Sequence, residues 1–174
     1  MVLADSAGSR NCDALSLREL AGRFGITASR EAAMDVARGQ FGDPSQILSD
    51  DIPTSPLSEG VGKVQLYRLR PLSALSGKRR PKDVETFPVV NVTGGAAVMA
   101  GSCGKGRFLV SADISMFAPL RIEHGDNAEL LANALGWLLR HPADADARMT
   151  CRKNLFFTEV DFRRIHEEER RTVR

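Results

Sequence analysis

Three apolar segments separated by glycines constrain the fold of this chain more than any other feature of its sequence. They cover residues 87–92, 96–100 and 107–112, and each has the length and composition of a β-strand. Gly94 and Gly95 separate the first two segments, which predicts a tight hairpin turn. The third segment is apolar enough to be buried on both faces of a sheet. We therefore expect a sheet that contains these three strands.

A helix is predicted after the strands. Asp126 is a typical N-cap residue, and Glu129 three positions later completes a capping-box pattern. His141 and Pro142 are expected to end the helix. Apolar residues at helical spacing predict a core-facing stripe of Leu131, Ala134, Leu135 and Leu138, flanked by Leu130 and Trp137.

The first forty residues contain weaker signals. Residues 2–4 are interpreted as the end of a buried strand. A helix is expected between a cap at Ser16 and Gly25, followed by an extended path from Ile26. Residues 31–39 are ambiguous and allow a short helix.

The segment before the three strands is predicted to be mostly loop. Glycine and proline interrupt residues 42–60, where one short strand is expected at 47–48. Alternating residues at 64–69 predict a strand with one solvated face. Residues 73–83 are small, basic and proline-containing, which predicts an exposed loop.

Composition limits the class of protein. The 174 residues are 43% hydrophobic and 26% charged, as in an ordinary globular domain, and the net charge of +2 gives no argument for nucleic acid. No apolar run reaches the roughly 20 residues that span a bilayer, and no signal peptide is recognisable. We expect a cytoplasmic protein by default. Residues 1–142 are interpreted as the domain, and residues 143–174 as a charged tail, partly helical or disordered.

The cysteines predict neither a metal site nor a disulfide framework. Cys12, Cys103 and Cys151 are odd in number and far apart, and no CxxC or Cys/His ligand spacing is present. We therefore assign no metal ligand and no cofactor.

Cys103 lies in a glycine-rich stretch that allows three interpretations. A nucleophile elbow needs a helix after the turn, but the next predicted element is a strand. A phosphate loop needs a hydroxyl residue and a helix after its lysine, and Lys105 is followed by neither. A hairpin fits best, with Gly101, Gly104 and Gly106 supplying positive-φ positions. We assign no catalytic residue.

Two stretches resemble a known family. The sequences GSCGKGRFLVSADISMF (101–117) and HGDNAELLANALGWLL (124–139) are similar to class I glutamine amidotransferase-like domains. Their nearest likeness is to the non-catalytic branch, which includes uncharacterised bacterial domains and a domain of an intraflagellar transport protein. LRELAGRFGI (17–26) and SPLSEGV (55–61) resemble upstream segments of the same family. Ser55 stands where a histidine is common in those domains, and the cysteine elbow of active members is not identifiable.

The resemblance implies an α/β fold with a three-layer, flavodoxin-like sheet and helices on both faces. It also implies that the opening βα units of the family are missing before Met1, so that the domain is N-terminally incomplete. An exposed sheet edge would then be available for pairing with another chain.

Ligands of open α/β sheets bind at the carboxyl ends of the strands. The residues expected there are Asp113, Ser115, Asn127, Asp5 and Ser6. Asp113 directly follows the strongest strand and could bind a hydroxyl, an amide or a cation. Alternatively, Asp113 and Asn127 only satisfy loop backbone groups or cap the helix.

Three functions remain open at this point. The first is a non-catalytic domain that binds an unknown small polar ligand or a protein partner. The second is a hydrolase or amidotransferase-type enzyme that uses Cys103 or Asp113. The third is a structural subunit that forms oligomers through the exposed sheet edge. None of them involves nucleic acid or a membrane span.

Overall fold

A computed structural model of the protein describes residues 2–3, 21–37, 39–77 and 81–139. These residues form a mixed, sheet-rich α/β fold. The strands in the described part are β1 (Val2–Leu3), β2 (Ile26–Ala28), β3 (Gln46–Ser49), β4 (Val64–Tyr67), β5 (Leu72–Ala74), β6 (Val84–Val92), β7 (Gly95–Cys103) and β8 (Gly106–Ser111), and the main helix is α1 (Asn127–Leu138). The predictions for residues 4–20, 78–80 and 140–174 lie outside the described residues.

Strand β7 lies at the centre of the larger sheet. It is antiparallel to β6 on one edge and to β8 on the other, which confirms the three predicted strands. Strand β1 is parallel to β8, so the predicted strand at residues 2–4 is present at Val2–Leu3. Strand β5 pairs with the start of β7, where Leu72 lies opposite Ala96, and β2 pairs with β5. The strand order is therefore β1-β8-β7-β5-β2.

The glycine-rich stretch around Cys103 is a hairpin, as predicted. Cys103 pairs with Gly106 across the turn, and Gly104 has a φ of 57°, the left-handed conformation that glycine adopts without strain. Gly101 has a different reason to be glycine. A Cβ on Gly101 would lie 2.0 Å from the Glu85 carbonyl oxygen, because β6 passes directly beside it. The expectation of positive φ at Gly101 and Gly106 was therefore wrong.

Strands β3 and β4 form a second, two-stranded antiparallel sheet. The short strand expected at 47–48 is confirmed, but the solvated face expected for 64–69 is not. Val64, Gln65 and Leu66 are all buried, because Gln65 is covered by the start of α1, where Asn127 contacts its backbone. The exposed loop expected at 73–83 begins instead with β5, which pairs with β2.

The predicted helix is present, but it turns a different face to the core. Leu130, Asn133, Ala134 and Trp137 are buried at the spacing i, i+3, i+4, i+7, whereas Leu131, Leu135 and Leu138 are only partly buried. Because Asn133 is polar, a search for apolar residues at helical spacing does not find this buried stripe. Asp126 is the N-cap residue but makes no capping bond to the helix, so the expected capping box is absent.

Residues 31–37 contain no helix, which resolves that ambiguity for the residues described. Residues 21–23 are helical and end at Gly25, whose φ of 69° matches the predicted helix stop. The ring of Phe24 stacks on Phe108 of β8 at a centroid distance of 4.6 Å and so joins this turn to the sheet. The core joins both sheets and α1 through fully buried residues, among them Leu57, Leu66, Val98, Leu109, Met116 and Leu130.

Candidate functional site

Asp113 lies just after β8, where the sequence placed it, and its carboxylate is fully engaged. The side chain is only 2% exposed. One oxygen accepts a hydrogen bond from the Tyr67 amide at 2.7 Å. The other accepts from the Ser115 amide at 2.7 Å and from the Ser115 hydroxyl at 2.6 Å. Asp113 thereby connects the end of β4 to the turn after β8.

The electrostatic environment of Asp113 is dominated by burial. Loss of solvent raises the pKa of this carboxyl above its ordinary value, although the hydrogen bonds from Ser115 and Tyr67 and the charge of Arg121 act in the opposite direction. Arg121 also lies over the Tyr67 ring, with its guanidinium carbon 4.4 Å from the centroid. Arg68 approaches the same ring at 4.8 Å.

Asn127 is fully buried and makes four hydrogen bonds to backbone groups. Its carboxamide oxygen accepts from the Gln65 amide at 3.1 Å. Its nitrogen donates to three carbonyl oxygens, those of Gln65 at 3.0 Å, Met116 at 3.1 Å and Arg121 at 3.0 Å. This side chain therefore fixes β4 and the 116–121 turn to the first residue of α1.

Two further side chains of the helix region hold the loop before β4. One Asp126 oxygen accepts from the amides of Gly62 and Lys63 at 2.8 and 2.9 Å. Asn133 donates to the carbonyl oxygens of Leu57 and Glu59 at 3.1 and 2.7 Å. Both contacts were missed by sequence reasoning. Asp126 was interpreted as a helix cap, and no role was assigned to Asn133.

A pocket of about 480 Å³ lies beside this region. It opens between the 40–41 turn, β3, β4 and the residues before α1. Its lining includes Gln40, Phe41, Leu48, Lys63, Gln65, His124, Gly125 and Asp126. Among the predicted ligand-binding residues that the structure describes, Asp113, Ser115 and Asn127 are not part of this lining. His124 therefore lies at the edge of a concave surface.

The structure thus brings three of the five predicted site residues together. Asp113 bonds to Ser115, and Asn127 bonds to the adjoining Met116 carbonyl. Asp5 and Ser6 lie outside the described residues. The side chains of Asp113 and Asn127 bond to backbone groups, which is the alternative that the sequence left open for them. A ligand-binding role for the five residues stays a prediction.

Cys103 is remote from this cluster. It is exposed at the hairpin end of β7, opposite Gly106, whereas Asp113 follows the far end of β8. Six residues of extended strand separate the two ends by roughly 20 Å. Among the residues described, no group of three or more His, Cys, Asp or Glu side chains could hold a metal ion. Nor does any helix there have the length and apolar character needed to cross a membrane.

The described residues define a mixed α/β fold, in which a six-stranded sheet and a small second sheet pack with a helix that is fixed by buried polar side chains. No protein-family model matches the chain, and no curated protein matches it. Among solved structures, it is similar to the "mmIFT52 N-terminal domain", with a TM-score of 0.63 and 15% sequence identity.

That similarity covers 80% of this chain and 64% of the other, so this chain spans less than two thirds of its structural neighbour. At 15% identity the likeness shows the fold alone. For the fold alone, it supports the resemblance to a domain of an intraflagellar transport protein. The glutamine amidotransferase-like assignment stays a prediction.

Proposed function

We propose that this chain is a non-catalytic domain that binds a protein partner, and that its fold is a three-layer variant of the amidotransferase-like architecture. The proposal depends on one observation, that the polar side chains at the strand ends bond to backbone groups of the domain itself. The Asp113 and Asn127 side chains hold backbone groups of β4 and of the turn that follows β8. An acid or base for catalysis would need to reach a substrate, and these groups are committed to the fold.

The geometry around Cys103 agrees with this proposal. A cysteine nucleophile is activated by a neighbouring base or by a helix N-terminus. Cys103 instead lies in a β-hairpin, between a pairing with Val84 on one side and with Gly106 on the other. The likeness to the mmIFT52 N-terminal domain supports a binding domain rather than an enzyme, since it was the non-catalytic branch that the sequence resembled.

Pairing through the edge at β6 is less well supported than binding by a surface. Strand β6 lies beside β7 at one edge of the sheet among the described residues, and β1 and β2 are the end strands of the order β1-β8-β7-β5-β2. Strand β6 presents exposed Glu85 and Pro88, and a charge and a proline on an edge strand both disfavour the addition of another strand.

The test uses the full 174-residue chain, immobilised and incubated with extract from its source cells, followed by quantitative mass spectrometry. We expect one protein to be retained in stoichiometric amount, equally by the wild type and by Cys103→Ala. Glutamine hydrolysis should not exceed that of Cys103→Ala. Hydrolysis that disappears in Cys103→Ala, or retention of no protein by the wild type, would overturn the proposal.

A further inference from the structure

Gln65 has a buried side chain to which no group of the described chain bonds. The residue is only 8% exposed. Its backbone amide and carbonyl both bond to Asn127, but its carboxamide forms no hydrogen bond within the described residues. A buried carboxamide without a partner is costly and uncommon in folded proteins, so this one needs an explanation.

The carboxamide of Gln65 faces the pocket beside α1. Gln65 lies opposite Leu48 in the β3–β4 pair, and the neighbouring residues Leu66 and Ile47 are buried in the core on the other face of this small sheet. Gln65 and Leu48 both line the pocket. Among the described side chains, no fully enclosed nitrogen or oxygen atom lacks a hydrogen bond. The unbonded carboxamide of Gln65 therefore contacts the open space of the pocket.

This carboxamide determines the shape of the group that it can bind. It presents a hydrogen-bond acceptor and a donor side by side in one plane. Its complement is a flat group that carries a donor and an acceptor on one edge, as a nucleobase does. Glutamine makes such a two-bond contact with the amino group and the ring nitrogen of adenine.

Phe41 supplies an aromatic surface for such a flat group. It lines the same pocket, and its side chain is 88% exposed. Its φ of 56° is in the left-handed region, which a bulky residue rarely adopts, and strain of this kind is found mainly at functional sites. Nucleobases stack on aromatic side chains whatever the identity of the base. The ring of Phe41 and the carboxamide of Gln65 thus recognise two different features of one ligand, its face and its edge.

The charges of the pocket favour an uncharged ligand. Its lining contains one ammonium group, that of Lys63, and one carboxylate, that of Asp126. Asp35 and Asp43 flank residues 40–41 in the chain and add negative charge outside the lining. This set of charges gives no net attraction for a phosphate. Ammonium and carboxylate groups can both bond to a hydroxyl, the first as a donor and the second as an acceptor.

We propose that this pocket, here called the Gln65 pocket, binds an uncharged nucleoside. The Gln65 carboxamide makes two hydrogen bonds with one edge of the base, the base stacks on Phe41, and hydroxyl groups of the sugar bond to Asp126 and Lys63. The volume of about 480 Å³ is in the range of small-molecule sites. This inference goes beyond the proposed function and does not depend on it.

The depth of Gln65 favours a base over a peptide segment. Because this residue is only 8% exposed, its carboxamide is accessible to a narrow group such as the edge of a ring. A peptide backbone carries a side chain on nearly every residue, and these side chains hinder its approach to a group at this depth.

The first experiment measures the binding of adenosine, guanosine, cytidine and uridine to the full 174-residue chain by isothermal titration calorimetry. We expect at least one of the four to bind with a dissociation constant below about 1 mM. Gln65→Leu keeps the size of the side chain but removes its donor and acceptor, and Phe41→Ala removes the stacking surface. Each variant should bind this nucleoside at least about tenfold more weakly. The 5′-monophosphate of the same nucleoside should bind no more tightly than the nucleoside itself.

The chain offers a matched control for each variant. Gln46→Leu makes the same change two residues along β3 from Leu48, on the same face of the β3–β4 pair but outside the pocket lining. Leu139→Ala removes an exposed apolar side chain about 18 Å along α1 from its first residue. Both controls should bind the nucleoside within about twofold of the wild type. Phe41→Ala alters an exposed side chain, so it still tests the inference if Gln65→Leu fails to fold.

Three results would overturn the inference. They are no binding of any of the four nucleosides, binding that Phe41→Ala or a folded Gln65→Leu leaves unchanged, and a monophosphate that binds more than about tenfold more tightly than its nucleoside. If no nucleoside binds and Gln65→Leu also loses the partner retained from cell extract, the pocket is part of the partner-binding surface instead. Retention of that partner by the wild type tests the proposed function separately, because it does not require a nucleoside.

Discussion

Asn127 bonds to both backbone groups of Gln65, accepting from its amide at 3.1 Å and donating to its carbonyl at 3.0 Å. A neighbouring β-strand would make the same two hydrogen bonds with this residue. The side chain at the start of α1 thus takes the place of a strand along one edge of β4. This relationship explains how a short two-stranded sheet is joined to the rest of the domain.

Asn127→Ala should be strongly destabilising. It leaves buried donor and acceptor groups of Gln65, Met116 and Arg121 without this partner, and we expect the free energy of unfolding to fall by about 3 kcal/mol. Urea unfolding followed by circular dichroism measures the change. Asn91→Ala is the control, since the Asn91 side chain bonds to Asp51 at an exposed site and should cost under about 1 kcal/mol. Equal losses in the two variants would contradict the role given to Asn127.

Asp113 predicts a pH dependence of stability with a definite sign. Burial raises the pKa of Asp113 in the folded protein above 3.8, so the folded state holds its proton more tightly than the unfolded chain. The free energy of unfolding should therefore decrease as pH rises from about 3.8 through the raised pKa, with a slope of up to about 1.4 kcal/mol per pH unit from this group.

Comparison with Asp113→Asn isolates this contribution. The asparagine does not titrate, so the difference in unfolding free energy between the two proteins should change across this pH range. Asp43 has the opposite effect, because its hydrogen bonds with Ser45 lower its pKa, but it is present in both proteins and cancels. Parallel stability curves for the two proteins would show that Asp113 has no raised pKa.

Two glycines of β7 and its turn should respond differently to alanine. Gly101→Ala places a Cβ against the Glu85 carbonyl oxygen and the Phe108 ring, and separating β6 from β7 should cost about 3 kcal/mol. The Cβ of Gly104→Ala would lie in open space. The only cost is the strain of an alanine at a φ of 57°, which should lower the free energy of unfolding by about 1 kcal/mol. Thermal unfolding of both variants tests this order, and a larger loss at Gly104 would contradict the close approach of β6.

Arg107 fixes the last turn of α1. Its guanidinium donates to the Trp137 carbonyl at 2.8 Å and lies 5.3 Å from the centre of the Trp137 ring. Arg107→Ala should lower the free energy of unfolding by about 1 kcal/mol, because it removes both a hydrogen bond to a helix-end carbonyl and a cation–π contact. Tryptophan fluorescence during urea unfolding reports on the same site. Lys105→Ala, two residues away in the exposed turn, should leave the midpoint unchanged.

The strands β6, β7 and β8 and the helix α1 were predictable because their signals are local. Apolar runs of strand length, glycines at the turns and a helical repeat after Asp126 all act between residues close in the sequence. The hairpin at Cys103 was decided by the same reasoning. The local sequence also predicted that Asp113 and Asn127 lie in the loops at the carboxyl ends of the strands.

The sequence by itself therefore determined the central strands, the hairpin at Cys103 and the position of the helix. Tertiary structure alone decided what the polar side chains do and which face of the helix is buried. Asp113 bonds to a residue 46 positions away, and Asn133 to one 76 positions away. The partners of such buried polar groups are fixed by the packing of distant segments, and no periodicity in one segment can indicate them. For the same reason Gln65, which alternates like a surface residue, is buried under Asn127.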